Sequence, residues 1–100
     1  MTTYAFRRKD KNQDAIVDTL RKLGIRVFVF GEECDLITQW NGLTMLCEVR
    51  PADKPNLPRP GRQAKFHDQF AVKWLQTDAD CLELLEVFKR WHNAIRQSIT

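Results

Sequence analysis

Asp35, Glu48 and Arg50 are the residues of this chain whose types and spacing could do chemistry together. Between the two acids stands Asn41-Gly42, a dipeptide suited to the type I′ turn of a two-residue β-hairpin, because both central positions of that turn need positive φ. If the loop is Asn41-Gly42 alone, Trp40 faces Leu43 and, counting outward, Asp35 falls directly opposite Glu48. Directly paired Cβ atoms of an antiparallel ladder sit roughly 4.5–5.5 Å apart, where like charges are unfavourable, so two carboxylates there need a cation or a raised pKa. Arg50, two residues beyond Glu48, projects from the same face. Oxygen donors at an open strand end, with a fixed positive charge beside them, suit magnesium or manganese and a phosphate ester. The alternative is a pair of solvated strand-end carboxylates with Arg50 as an ordinary ion-pair partner, and spacing does not choose between the two.

The elements that must position these residues are readable in order. After Asn12, a good N-cap, the apolar residues Ile16, Val17, Leu20 and Leu23 recur at helical spacing, and Gly24 stands where a left-handed helix end belongs. Ile25 to Phe30 is β-branched and aromatic and reads as a first strand, broken by Gly31-Glu32-Glu33. Residues 34–50 hold two antiparallel strands around the Asn-Gly turn. Pro51, Pro55, Pro58 and Pro60 make the segment 51–61 an irregular loop. A short helix over Arg62 to Gln69 and a strand over Phe70 to Leu75 follow. Thr77 with Asp80 resembles a capping box, and Leu84, Phe88, Trp91 and Ile95 form an apolar stripe on a helix running to about Arg96, read as core or partly as a dimer surface. The order αβββαβα predicts one α/β domain over residues 1–100, with residues 1–9 as a basic N-terminal arm.

With 100 residues, 43% of them hydrophobic, and a net charge of +3, the chain is bounded to one small domain. No hydrophobic stretch approaches the roughly 20 residues a bilayer crossing needs, so the chain reads as neither membrane-spanning nor secreted. Cys34, Cys47 and Cys81 form no C-x-x-C pair and suit reduced core thiols of a cytoplasmic protein. Charge is concentrated: residues 50–65 carry five basic residues against one acid, more than the +3 of the whole chain. Arg7, Arg8 and Lys9 in the arm, with Lys54, Arg59, Arg62 and Lys65 in and after the loop, would make a footprint for a nucleic-acid backbone; the alternative is a solvated loop. Trp40 is read as core rather than as a base-stacking wedge. His67, on the second helix near the proposed site, is read as a surface or interfacial residue, with a general base as the alternative.

Five segments together resemble a known family: KNQDAIVDTLRKLG on the first helix, CDLITQWNGLTMLCEVR on the hairpin, ADKP in the loop, RQAKFHDQF on the second helix and FAVKWLQTDADCLELL at the end. An aspartate, about a dozen residues and then Glu-x-Lys on the next strand is the signature of the PD-(D/E)XK nuclease superfamily, and residues 8–87 look like its small phage and bacterial VRR-NUC-like members. The resemblance implies a restriction-endonuclease-like core, a mixed sheet flanked by helices. It also implies a magnesium- or manganese-dependent DNA endonuclease or phosphodiesterase, dimeric and acting on branched or double-stranded DNA in the cytoplasm of a bacterial or phage-infected cell. By position, Asp35 and Glu48 correspond to the metal-binding acids, helped by the backbone carbonyl of Val49, and Gln63 to a glutamine that orients phosphate or water.

The chain departs from the pattern at three places. Arg50 stands where lysine is usual, Ala15 where a first-helix glutamate is usual, with Asp14 about 100° of helix away, and Cys34 where a proline often precedes the aspartate. Arginine stays protonated and is larger and planar, so it can stabilise phosphate charge but does not replace a desolvated lysine. Arg50 and Ala15 therefore also motivate a second reading, a catalytically degenerate nuclease fold kept as a DNA- or protein-binding phage module; an RNA-directed role is a third.

Overall fold

The first helix, α1 (Lys11–Lys22), exists because Ile16, Val17 and Leu20 share one face and are all buried. It belongs to a computed structural model that describes residues 11–31, 34–51 and 62–99. Gly24 ends it with φ +84, which lets the Gly24 amide donate to the Arg21 carbonyl and the Ile25 amide to the Leu20 carbonyl, each at 3.0 Å. These two bonds form a Schellman cap, with the apolar pair Leu20 and Ile25 closing beneath it.

The remaining elements are β1 (Arg26–Val29), β2 (Leu36–Trp40), β3 (Leu43–Val49), α2 (Arg62–Gln69), β4 (Val72–Leu75) and α3 (Asp78–Ile99). This is an α/β fold with a four-stranded mixed sheet of order β1-β2-β3-β4: the first three strands are antiparallel, and β4 lies parallel to β3 after the crossover that contains α2. The element order is the expected one. The hairpin register is also the expected one, with Trp40 paired to Leu43 and Leu36 to Cys47. The turn holds both its residues at positive φ, Asn41 at 52° and Gly42 at 83°.

One face of the sheet carries Leu36, Cys47, Val49 and Leu75, which pack with α1 and with Cys81, Leu84 and Phe88 of α3 into a single buried cluster. Trp40 packs against this cluster, its ring 6.4 Å from that of Phe88, as core. All three cysteines are free and buried. Among the described residues no helix is long and apolar enough to cross a membrane.

Two local expectations are corrected. Asn12 lies inside α1 rather than capping it, because its side-chain amide serves other partners described below. The last helix continues past Arg96 to Ile99, and its stripe divides: Leu84 and Phe88 are buried, whereas Trp91 and Ile95 are 41% and 37% exposed. The capping box is present, with the Asp80 carboxylate accepting from the Thr77 amide at 3.0 Å and the Thr77 hydroxyl from the Asp80 amide at 3.3 Å.

Candidate functional site

The candidate site lies at one end of the sheet, where β3 and β4 both finish. Alternation along β3 sends Cys47 and Val49 to the core and Glu48 to the other face. The parallel register pairs Glu48 with Trp74, so the two side chains stand side by side there. Helix α2 covers them. His67 approaches Glu48 with Nε2 at 3.5 Å from Oε2 and lies over Trp74 with ring centroids 5.3 Å apart. The side chains of His67 and Glu48 retain 10% and 5% of their exposure, so the contact is nearly dry. His67 is thus an interfacial residue, packed between α2 and the sheet. Phe66, its neighbour, stacks on Phe70 just past the end of the same helix.

Arg50 completes the group. Its guanidinium carbon lies 5.3 Å from the Trp74 ring centroid, a cation–π arrangement that fixes a long side chain at the strand end. Burial and then the Arg50 charge hold His67 below the ordinary histidine range, so its imidazole is neutral near pH 7.

Asp35 sits one residue beyond the Leu36–Cys47 pair, across from Glu48 as the turn requires. The Asp35 carboxylate accepts the Val49 amide at 2.9 Å. The side chain takes over the next rung of the ladder and draws off charge into a backbone donor. The Asp35 carbonyl meanwhile accepts from the amides of Phe30 and Gly31, at 2.9 and 3.2 Å, so this residue ties the end of β1 to the end of β3.

Asn12 is the residue that sequence reasoning placed wrongly. Its Nδ2 donates to the Arg50 carbonyl at 3.0 Å and to the Gln76 carbonyl at 2.7 Å, clamping the chain just past β3 to the chain just past β4. Gln76 extends the clamp by donating to the Pro51 carbonyl at 3.0 Å. The first turn of α1 thereby holds the backbone on which Glu48 and Arg50 stand. Trp74 was also missed, since nothing in a single strand announces which residue will lie beside it across a parallel crossover.

Of the other expected residues, Lys65 is exposed on α2 and Asp14 is exposed on α1. Arg62 and Gln63 occupy the first turn of α2, but their side chains lie outside the described residues, as do Arg7, Arg8, Lys9, Lys54 and Arg59 entirely.

Among the described residues no three His, Cys, Asp or Glu side chains are grouped closely enough to hold an ion by themselves. The donors nonetheless fit a divalent cation that brings its own water or phosphate. Glu48 and Asp35 offer carboxylate oxygens, Val49 a carbonyl, and His67 an Nε2 that is buried and makes no hydrogen bond among the described residues. No family model, curated protein or solved structure matches this chain.

Proposed function

We propose that this chain is a metal-dependent DNA phosphodiesterase of the PD-(D/E)XK, VRR-NUC-like kind, built on a restriction-endonuclease-like core. The observation that carries the reading is the convergence, at one sheet end, of Asp35 and Glu48 from the two strands of a hairpin with Arg50 held beside them on Trp74. Asp35, Glu48 and the Val49 carbonyl would hold magnesium or manganese, which when bound polarises the scissile phosphate and lowers the pKa of an attacking water. Arg50 binds a phosphate oxygen and stabilises the charge that builds there in the transition state. Trp74 limits the conformations open to Arg50, so less entropy is lost when phosphate arrives. Gln63, in the first turn of α2, orients phosphate or water.

The basic residues Arg7, Arg8, Lys9, Lys54, Arg59, Arg62 and Lys65 hold the DNA backbone. A homodimer, in which the half-exposed end of the α3 stripe meets a second copy, would extend that footprint. Location in a bacterial or phage-infected cytoplasm belongs to the same reading.

One observation favours a second reading. Arg50 is a guanidinium stacked on an aromatic ring where the nuclease pattern has a mobile ammonium, which suits a fold that grips phosphate without cutting. Linear, nicked and branched DNA incubated with the protein in Mg²⁺ or Mn²⁺ separates the two. The nuclease reading expects cleavage that Asp35→Ala abolishes and Arg50→Lys maintains or raises. A parent protein that binds but never cuts, joined to an Arg50→Lys variant that does, establishes the binding module instead.

A further inference from the structure

Glu48 and His67 meet in a nearly dry contact beside Trp74. At 3.5 Å the Nε2–Oε2 separation exceeds the usual hydrogen-bond range. Nε2 is nevertheless buried, with no hydrogen-bond partner among the described residues, in a side chain only 10% exposed. Buried polar nitrogens are rarely left in that state without a reason. At about 2.1 Å from an octahedral ion, two adjacent ligand atoms stand about 3.0 Å apart. Nε2 and Oε2, 3.5 Å apart here, would close by about 0.5 Å on taking one up.

We infer that His67 supplies a nitrogen ligand, through Nε2, to a divalent ion shared with Glu48, and that this ligand makes the site select manganese over magnesium. The inference rests on the metal-site reading above and deepens it. Magnesium favours an all-oxygen octahedron and gives up water reluctantly, whereas manganese accepts imidazole more readily. A nitrogen donor in a nearly dry setting therefore separates two ions that the carboxylates alone would treat alike. Asp35 is engaged with the Val49 amide through one oxygen and is not needed for this pair of ligands.

The test is metal binding by the intact, tag-free protein, read without activity. Free Mn²⁺ is counted by its hexaaqua EPR signal, with Mg²⁺ as competitor, for the parent, His67→Gln and Glu48→Gln. The parent is expected to bind Mn²⁺ at least tenfold more tightly than Mg²⁺, and His67→Gln to lose about 10–100-fold in Mn²⁺ affinity with Mg²⁺ affinity changed by less than about threefold. Pulsed EPR on the Mn²⁺-loaded parent supplies a measurement that needs no His67 variant: coupling to an imidazole ¹⁴N is expected. It should persist in His92→Phe, because His92 packs against Trp40 at the far end of the hairpin. Equal Mn²⁺ affinity in parent and His67→Gln, or no nitrogen coupling, overturns the ligand assignment while Glu48-dependent binding still supports the metal site. Failure of the parent to bind either ion removes both.

Discussion

Substituting Asn12 tests the clamp behind the site, and the choice of replacement decides what is learned. Asn12 donates two hydrogen bonds, 3.0 Å to the Arg50 carbonyl and 2.7 Å to the Gln76 carbonyl. Each is worth about 1 kcal/mol net, so Asn12→Ala loses about 2 kcal/mol and regains about 0.5 from the better helix propensity of alanine. The expected cost is about 1.5 kcal/mol, or roughly 6–12 °C in Tm for a domain of this size. Asn12→Asp keeps the shape but replaces the donors with acceptors aimed at two carbonyl oxygens. It should cost about 2–3 kcal/mol, even after the benefit of about 0.5 kcal/mol that an acid receives near a helix N-terminus. Urea unfolding followed by tryptophan fluorescence measures all three proteins. A capping asparagine predicts the opposite order, since aspartate caps as well as asparagine and far better than alanine. An Asp variant as stable as the parent, or more stable than the Ala variant, would falsify the clamp.

Three further outcomes follow from the same geometry. Asp35→Asn retains an oxygen that can accept the Val49 amide, so it should stay within about 0.5 kcal/mol of the parent in urea while losing divalent-ion binding; Asp35→Ala should lose both, with about 1–1.5 kcal/mol of stability. Because His67 has its pKa lowered from 6.5 in the folded protein, the unfolded chain takes up a proton that the folded chain refuses. Stability should therefore fall as pH drops below about 6.5, and His67→Gln should lack that component when the two are compared by urea titration across pH 5–8. Burial pushes the Cys47 thiol up to about 12 and the Cys81 thiol up to about 11. Neither should react with a disulfide reagent at pH 8 until denaturant is added, and rapid modification of the native protein would contradict the buried core.

Legibility from sequence followed the range of the interactions involved. The Asn41-Gly42 turn is a local device with one favoured conformation, and its register, kept through the Leu36–Cys47 pair, carried the placement of Asp35 across from Glu48 six residues from the turn. The face of Glu48 and Arg50 followed from alternation alone. What could not be read depends on contacts between distant segments. Trp74 meets Glu48 only through a parallel crossover, His67 meets both through the docking of α2, and Asn12 reaches carbonyls 38 and 64 residues away. An asparagine at the start of an apolar helical pattern has the composition of a cap whether it caps or clamps, so only tertiary structure distinguishes the roles. The fate of the α3 stripe is similar: periodicity shows that Trp91 and Ile95 share a face with Phe88, but not how far along the helix that face is covered.

The turn that sets the register also decides how the molecule ages. Asn41 is exposed, and the residue after it has no side chain to shield its backbone nitrogen from the Asn41 amide carbon. Asn-Gly is therefore the bond in this chain most open to succinimide formation, with loss of ammonia and reopening to aspartate or isoaspartate. Isoaspartate adds a carbon to the main chain within a two-residue loop that has no slack to absorb it. Stored protein should lose its function first through the turn, by a slip in strand alignment that separates Asp35 from Glu48 while every residue of the site remains chemically intact.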